Sequence, residues 1–134
     1  MWLARLSDKI RLHLQGNLAD DFAPFLGHRL ATDGTFLKFF GLELDPLLDA
    51  ARNEYSDTAI TDWFARQPGV SSDRIVAWNE LAPKLGQPGE PMERAFNYAR
   101  RKYYGGDNAD PGVASVFTGI AWDEGYLDET PPRL

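Results

Sequence analysis

Four ionisable residues near the start of the chain have the types and spacing that acid–base or anion-binding chemistry needs. Asp8, Arg11 and His13 lie in one predicted helix, and His28 lies in the long connection over residues 16–34. Imidazole titrates near neutrality when it is unperturbed, so either histidine can act as a ligand or as a general base. If the connection folds over the helix, Arg11 becomes an anion clamp and Asp8 orients it.

Each of these residues also has an ordinary structural role. Asp8 and Arg11 have the i, i+3 spacing of a surface ion pair, which contributes only about 0.3–0.5 kcal/mol. His13 falls within the apolar stripe of its helix, where a histidine is usually a core residue with a satisfied hydrogen bond. His28 follows Gly27 in the connection, so we expect an exposed loop residue. The chemical interpretation therefore depends on whether the four side chains converge.

Signals for a metal or a cofactor are weak. Asp20 and Asp21 could join a histidine in a site of oxygen and nitrogen ligands, but the chain has no cysteine and no HxxxH or HxxE spacing. Nucleophile elbows, phosphate-binding glycine loops and dinucleotide motifs are absent. We predict no metal and no cofactor, and the sequence leaves open whether the protein is an enzyme.

A second group of charged residues lies near position 100. The three cations of residues 100–102 stand between Tyr98 and Tyr103. Cations interleaved with aromatic residues are typical of nucleic-acid surfaces, but cations in the last turn of a helix also complement the negative end of its dipole. Because the net charge of −6 opposes a phosphate backbone, we predict no nucleic-acid binding.

The elements that must position these residues are helices. Apolar residues recur at helical spacing, helix caps and glycines separate the segments, and Pro83 should end one helix near Leu81. No segment alternates like a strand over its whole length, although residues 113–117 could form a short one. The sequence predicts an all-α, compact bundle of five or six helices, with a long irregular loop after the first helix. The predicted helices cover about residues 2–15, 35–40, 45–53, 57–67, 72–81 and 92–104.

Two of these helices begin alike, with Ser-Asp followed by Ile-x-x-Trp. We interpret them as a helical hairpin with similar caps and with Trp63 and Trp78 packed in the core. Asn79 shares the stripe of Trp78, so we expect a buried amide that bonds to the backbone of the 16–34 loop. These three residues are predicted to be structural.

Length and charge distribution predict one domain with a charged extension. A chain of 134 residues has the usual size of a single domain, and its hydrophobic fraction of 43% supplies a core. Residues 107–134 contain six acidic side chains against Arg133 alone, a local charge of −5. We predict a helical domain over residues 1–106 and a partly ordered acidic extension over 107–134, which can dock on its own chain or on another.

The sequence also predicts a soluble, cytoplasmic protein with no membrane partner. Charges at positions 5, 8 and 9 interrupt any apolar signal segment, and no stretch approaches the ~18–20 apolar residues of a membrane-spanning helix. The absence of cysteine fits a reducing compartment.

A succession of short motifs in the first two thirds of the chain resembles a bacterial family, the domain of unknown function number 5069. The likeness covers about residues 3–86. It implies a small helical bacterial protein and supplies no reaction, and it leaves residues 87–134 outside the family. The motifs that carry it are Asp8-Lys9-Ile10-Arg11-Leu12-His13, Gly16, Leu18, Leu26-Gly27, Phe39-Phe40-Gly41, Ser56-Asp57 and Trp78-Asn79-Glu80.

Two functions from different classes fit these observations. The first is an interaction or accessory module that binds a protein partner, or itself, through an exposed aromatic surface or its acidic tail. The alternative is an anion-binding protein or modest enzyme with a site between the first helix and the 16–34 loop. We favour the interaction module because aromatic residues are abundant and catalytic motifs are absent.

Overall fold

Helices are the only regular secondary structure in the part of the chain that the structure describes. The computed structural model describes residues 2–20, 23–53 and 56–125 of the 134. The helices are α1 (Trp2–Leu14), α2 (Thr32–Phe39), α3 (Leu44–Asn53), α4 (Asp57–Ala65), α5 (Ser72–Leu81), α6 (Glu93–Tyr103) and α7 (Val116–Asp123). The all-α prediction is confirmed. The predicted five or six helices become seven among the described residues because residues 116–123 of the predicted extension form α7.

The residues considered for a short strand lead into α7 instead. Ser115 has extended backbone geometry, and its Oγ accepts the amide N–H of Thr118 while Thr118 Oγ1 accepts the amide N–H of Ser115. This reciprocal capping box satisfies two amides that the helix start would otherwise leave unpaired. The last nine residues of the predicted extension, 126–134, lie outside the described residues.

The second helix begins three residues earlier than its apolar pattern predicts. Gly34 reads as part of the loop, yet it lies in the first turn of α2. A Cβ built on Gly34 would lie 2.2 Å from the carbonyl oxygen of His28, so only glycine lets the loop pass this close. The early start places Asp33 inside the helix and buries it.

The chain divides into two compact units, Met1–Val76 and Ala77–Leu134, and α5 begins in the first and ends in the second. In the first unit α1 packs against α2, α3 and α4. The rings of Phe36, Phe40 and Phe64 form the aromatic part of its core, with centroids 5.0–5.7 Å apart. The predicted organisation into residues 1–106 and 107–134 stays a prediction.

In the second unit a buried set surrounds the turn that follows α5. Leu85, Phe96 and Val113 are fully or almost fully buried. Gly86 has φ +89°, and a Cβ there would lie 2.7 Å from Cβ of Phe96, so glycine is required by conformation and by space. As predicted, α5 ends at Leu81, and Pro83 lies in the 3-10 turn that follows.

The caps and the two tryptophans of the predicted hairpin can be located. Ser56 Oγ accepts the amide N–H of Ala59, and Ser71 Oγ accepts that of Arg74. The side chain of Trp63 is half-buried, and that of Trp78 is buried.

The prediction that Asn79 is buried is wrong, because the side chain is exposed. The buried stripe continues from Trp78 through half-buried Leu81 to Leu85, and Asn79 lies beside this stripe.

Candidate functional site

The predicted acid–base residues of α1 do not converge. Arg11 Nη1 lies 3.2 Å from Asp8 Oδ1, and the Asp8 side chain is 72% exposed. His13 is two residues beyond Arg11, about 200° around the helix axis, so the two side chains leave α1 on opposite sides. His13 is exposed because the buried stripe of α1 ends at Ile10, and the prediction of a core histidine is wrong.

His28 lies in the loop, exposed as predicted, and is held by its own neighbours. Its Nδ1 accepts the backbone N–H of Leu30 at 3.2 Å, and its ring meets the Phe25 ring edge-on at 6.5 Å. These local contacts fix the imidazole without bringing it to Asp8, Arg11 or His13. Of the four predicted residues, the structure pairs Asp8 with Arg11.

The loop does meet α1, but through a residue that the sequence analysis did not select. Asp33 is 1% exposed, and its Oδ1 accepts the indole N–H of Trp2 at 2.8 Å. Lys9 Nζ lies 3.1 and 3.2 Å from the two carboxylate oxygens, and the backbone N–H of Gly27 donates to Oδ2 at 3.4 Å. We call Trp2, Lys9, Gly27 and Asp33 the Asp33 cluster.

The Asp33 cluster is a saturated arrangement. A buried carboxylate is tolerated when charged and neutral donors satisfy its oxygens, and here two residues of α1 and one of the loop do so. Lys9 is 22% exposed and also lies 4.9 Å from the centroid of the Trp2 ring, which adds a cation–π contact. The cluster therefore ties α1, the loop and α2 together rather than offering a free group to a ligand.

Sequence reasoning missed Asp33 for a physical reason. The partners Trp2 and Lys9 lie 31 and 24 residues away in sequence, so no local spacing connects them to it. The available signal was an acid in the first turn of a helix, which the early start of α2 conceals.

The second unit presents a different polar region, on α6. Tyr98 and Tyr103 are 55% and 58% exposed, and Lys102 Nζ lies 5.5 and 5.2 Å from their ring centroids. Arg94 and Arg101 are exposed on the same helix. We call Arg94, Tyr98, Arg101, Lys102 and Tyr103 the α6 surface.

Contacts within the α6 surface favour the charged form of its lysine. Lys102 Nζ donates to the Tyr98 hydroxyl at 3.3 Å. This hydrogen bond, and next the interaction with the Tyr103 hydroxyl, raises the pKa of Lys102 above its ordinary value. The cation and the two rings therefore form one partly ordered group at the surface.

A cavity of about 320 Å³ lies beside the α6 surface, at the C-terminal end of α6. It contains two guanidinium groups and one carboxylate among its lining residues. Among the described residues, no carboxylate forms an ion pair with Arg100 or Arg101. We call it the Arg100 cavity, and it is lined by Asn97, Arg100, Arg101, Gly106 and Asp107.

Arg100 has a donor that none of the described residues accepts. Its Nε is buried and has no hydrogen-bond acceptor among the described residues. Buried polar groups are nearly always paired, and one that is not indicates either strain or a site for a missing acceptor. Asp33 is in the opposite situation, because its buried oxygens accept from three residues.

Tyr104, the residue that follows α6, contacts α7 through its hydroxyl group and its ring. The Tyr104 hydroxyl donates to Asp123 Oδ2 at 3.1 Å, and its ring meets the Trp122 ring edge-on at 5.6 Å. Burial, with the nearby Asp123 carboxylate as the second cause, raises the pKa of Tyr104 to about 12. The end of α6 is thus attached to α7 by a neutral phenol.

The described residues lack a metal-binding cluster and a membrane-spanning helix. No cluster of three or more histidine, cysteine, aspartate or glutamate side chains has the geometry to hold a metal ion. None of the described helices combines the length and the apolar character that crossing a membrane requires.

Comparison with known proteins places the chain in a family. A family model described as a domain of unknown function (DUF5069) matches residues 1–126, so the chain belongs to this family. The resemblance predicted over residues 3–86 is confirmed, and the expectation that residues 87–134 lie outside the family is wrong for most of that segment. The match includes α6 and α7. Comparisons with curated proteins and with solved structures found no match.

Proposed function

We propose that this member of the DUF5069 family is an interaction module, and that its α6 surface binds an acidic segment of a partner protein. The observation that carries the proposal is the pair of half-exposed tyrosines, Tyr98 and Tyr103, with Lys102 between them. Exposed tyrosines beside arginines are the residue types that dominate binding energy at protein interfaces.

Pre-ordering of the α6 surface supports binding. A side chain that becomes fixed at an interface loses about 0.5–1.5 kcal/mol of conformational free energy. The Tyr98 hydroxyl already accepts a hydrogen bond from Lys102, and Lys102 lies over both rings. Part of that cost is therefore met before a partner arrives.

The charge of α6 supports an acidic partner. Four cations and one carboxylate lie on this helix, in a chain whose net charge is −6. A positive surface on a negative protein attracts carboxylates at short range, while the rest of the chain repels a large anion. Double-stranded nucleic acid carries about one charge per 1.7 Å. The cations of α6 are on average spaced more widely than this, because only four of them lie along a helix about 16 Å long. A protein segment with spaced carboxylates therefore matches α6 better.

The test measures the affinity of a fluorescein-labelled peptide of alternating glutamate and glycine by fluorescence anisotropy. The wild-type chain should bind this peptide more tightly than a matched peptide in which glutamine replaces each glutamate. Binding should weaken when the ionic strength rises, because exposed charges are screened. Lys102→Glu should lower the affinity about tenfold.

A matched variant controls for net charge. Lys38→Glu changes another exposed lysine, on α2, and gives the same net charge as Lys102→Glu, so it should leave the affinity within about twofold. Equal losses in the two variants would mean that binding follows overall charge, and the proposal would be wrong. If the chain bound a single-stranded oligonucleotide more tightly than the peptide, the partner would be a nucleic acid and the proposal of a protein partner would be overturned.

Lys102→Glu also tests whether the α6 surface binds a second copy of the chain. The proposal expects a monomer by sedimentation at the concentrations of the peptide assay. A dimer that Lys102→Glu converts to a monomer would show that the α6 surface binds another copy, and the proposal of a different partner protein would be overturned.

The alternative site between α1 and the 16–34 loop is the weaker proposal. Arg11 is engaged with Asp8, His28 is engaged with its neighbours, and His13 leaves α1 on the side opposite Arg11. Nothing in this arrangement supports an anion clamp as strongly as the guanidinium groups of the second unit do.

A further inference from the structure

We infer that the Arg100 cavity is a binding site for an acidic amino acid, a small molecule with two carboxylates and one ammonium group. This inference concerns a free small molecule, and it does not require the α6 surface to bind a partner. Three observations carry it: the charges that line the cavity, its size, and the guanidinium of Arg100, which has no ion-pair partner among the described residues.

The lining charges complement such a ligand. Arg100 and Arg101 each contribute one positive charge and Asp107 one negative charge, so the ionisable lining is net positive. A glutamate-like molecule carries two negative charges and one positive charge at neutral pH. Each charged group of the ligand therefore has a partner of opposite sign in the lining, and Asn97 adds an amide that can donate or accept.

The volume of the cavity suits a molecule of this class. At about 320 Å³, the cavity lies at the lower end of the range of about 300–1,000 Å³ for small-molecule sites. A ligand of roughly ten non-hydrogen atoms that binds a site open to solvent is expected to have a dissociation constant on the order of 1 mM. The site is thus suited to a metabolite present at millimolar concentration.

The charge of Arg100 points to a carboxylate rather than to a neutral group. Arg100 lines the cavity, and no carboxylate of the described residues forms an ion pair with it. A guanidinium can bind a carboxylate through charge-assisted hydrogen bonds. A carboxylate in the cavity would neutralise this charge, and a neutral ligand would not.

Asp107 distinguishes a free amino acid from a glutamate side chain of a bound peptide. An aspartate in an anion site opposes a second carboxylate unless the ligand also brings a cation. The ammonium group of a free amino acid supplies that cation, and an internal peptide residue has none. Replacing Asp107 by asparagine should therefore lower the affinity for the free amino acid and should not lower the affinity for the acidic peptide.

The test is a titration of the isotope-labelled full chain, followed by amide chemical shifts at constant ionic strength. L-Glutamate should shift the amides of Asn97, Arg100, Arg101 and Gly106 with one common dissociation constant. Glutarate, which has both carboxylates but no ammonium group, should bind at least about fivefold more weakly. L-Lysine should leave these amides unchanged.

Variants separate the roles of the lining residues. Arg101→Gln, at an exposed position, and Arg100→Gln should each weaken L-glutamate at least about tenfold, and the amide spectrum itself reports whether either variant is folded. Asp107→Asn should weaken the binding of L-glutamate, which loses the partner of its ammonium group, and should strengthen the binding of glutarate, because a like charge is removed. Equal affinities for glutarate and L-glutamate, or an unaltered titration in Arg101→Gln, would overturn the inference. Neither result would affect the peptide binding tested through Lys102→Glu.

Discussion

The Asp33 cluster of the first unit and the Arg100 cavity of the second place a buried polar group in opposite situations. Asp33 is a buried acceptor with three donors around it, namely Trp2, Lys9 and the backbone of Gly27. Arg100 has a buried donor with no acceptor among the described residues. Both look alike as charged residues in a sequence.

The difference teaches that the balance of donors and acceptors separates structural from binding roles. A charge whose partners are all supplied by the chain stabilises the fold and has no remaining capacity for a ligand. A charge left without a partner costs stability until something external pairs with it. We therefore expect the Asp33 cluster to stabilise the fold, and our proposal places binding at the region around α6.

The largest expected effect is the loss of stability in Asp33→Ala, which tests whether the Asp33 cluster has a structural role. Removing the carboxylate leaves the indole N–H of Trp2 and the amide of Gly27 without an acceptor and releases Lys9. We expect a loss of about 3–5 kcal/mol, and a melting temperature lower by roughly 10 °C or more, measured by thermal unfolding. A loss below about 1 kcal/mol would mean that the cluster does not hold the unit together.

A smaller effect is expected at high pH from Tyr104, the saturated contact of the second unit. Its pKa is raised from 10.0 to about 12 in the folded chain, so the unfolded chain ionises first. The stabilising contribution is therefore complete below pH 10 and is lost as the pH rises towards 12.

Tyr104→Phe should remove this part of the pH dependence. Chemical denaturation at several pH values should show a steeper loss of stability in the wild type than in the variant above pH 10. Parallel curves would contradict a shifted phenol. The result would also test whether the hydroxyl contact with Asp123 is closed in solution.

The smallest effect is expected from Asp8→Ala, and it sharpens the comparison within α1. The Asp8–Arg11 pair is a surface i, i+3 pair, so its loss should cost no more than about 0.5 kcal/mol. Asp49→Ala removes the equivalent exposed pair with Arg52 on α3 and serves as the matched control. A loss at Asp8 several times that at Asp49 would mean that the Asp8–Arg11 pair does more than an exposed pair can.

Local patterns predicted those helix ends well that carry a start or stop signal in the sequence. Ser56 caps α4, and Pro83 follows the end of α5, as their chemistry requires. The start of α2 was missed because a glycine such as Gly34 normally interrupts a helix. Here glycine is required because the backbone of His28 passes close to it. A three-dimensional contact thus overrode a local preference.

The candidate site was less predictable. The tyrosines and cations of α6 are adjacent in sequence, so their grouping was visible, and helix periodicity places Tyr98 beside Lys102. The unused donor of Arg100 could not be predicted, because pairing depends on which carboxylates fold near it. The same limit hid Asp33, whose partners are distant in sequence.

The central claim is that α6 binds and α1 does not. Hydrogen exchange of backbone amides, with and without the glutamate–glycine peptide, compares the two helices in one experiment. We predict slower exchange along Glu93–Tyr103 when the peptide is bound, and unchanged exchange along Trp2–Leu14. Slower exchange confined to Trp2–Leu14 would place the binding site on α1 and contradict the account.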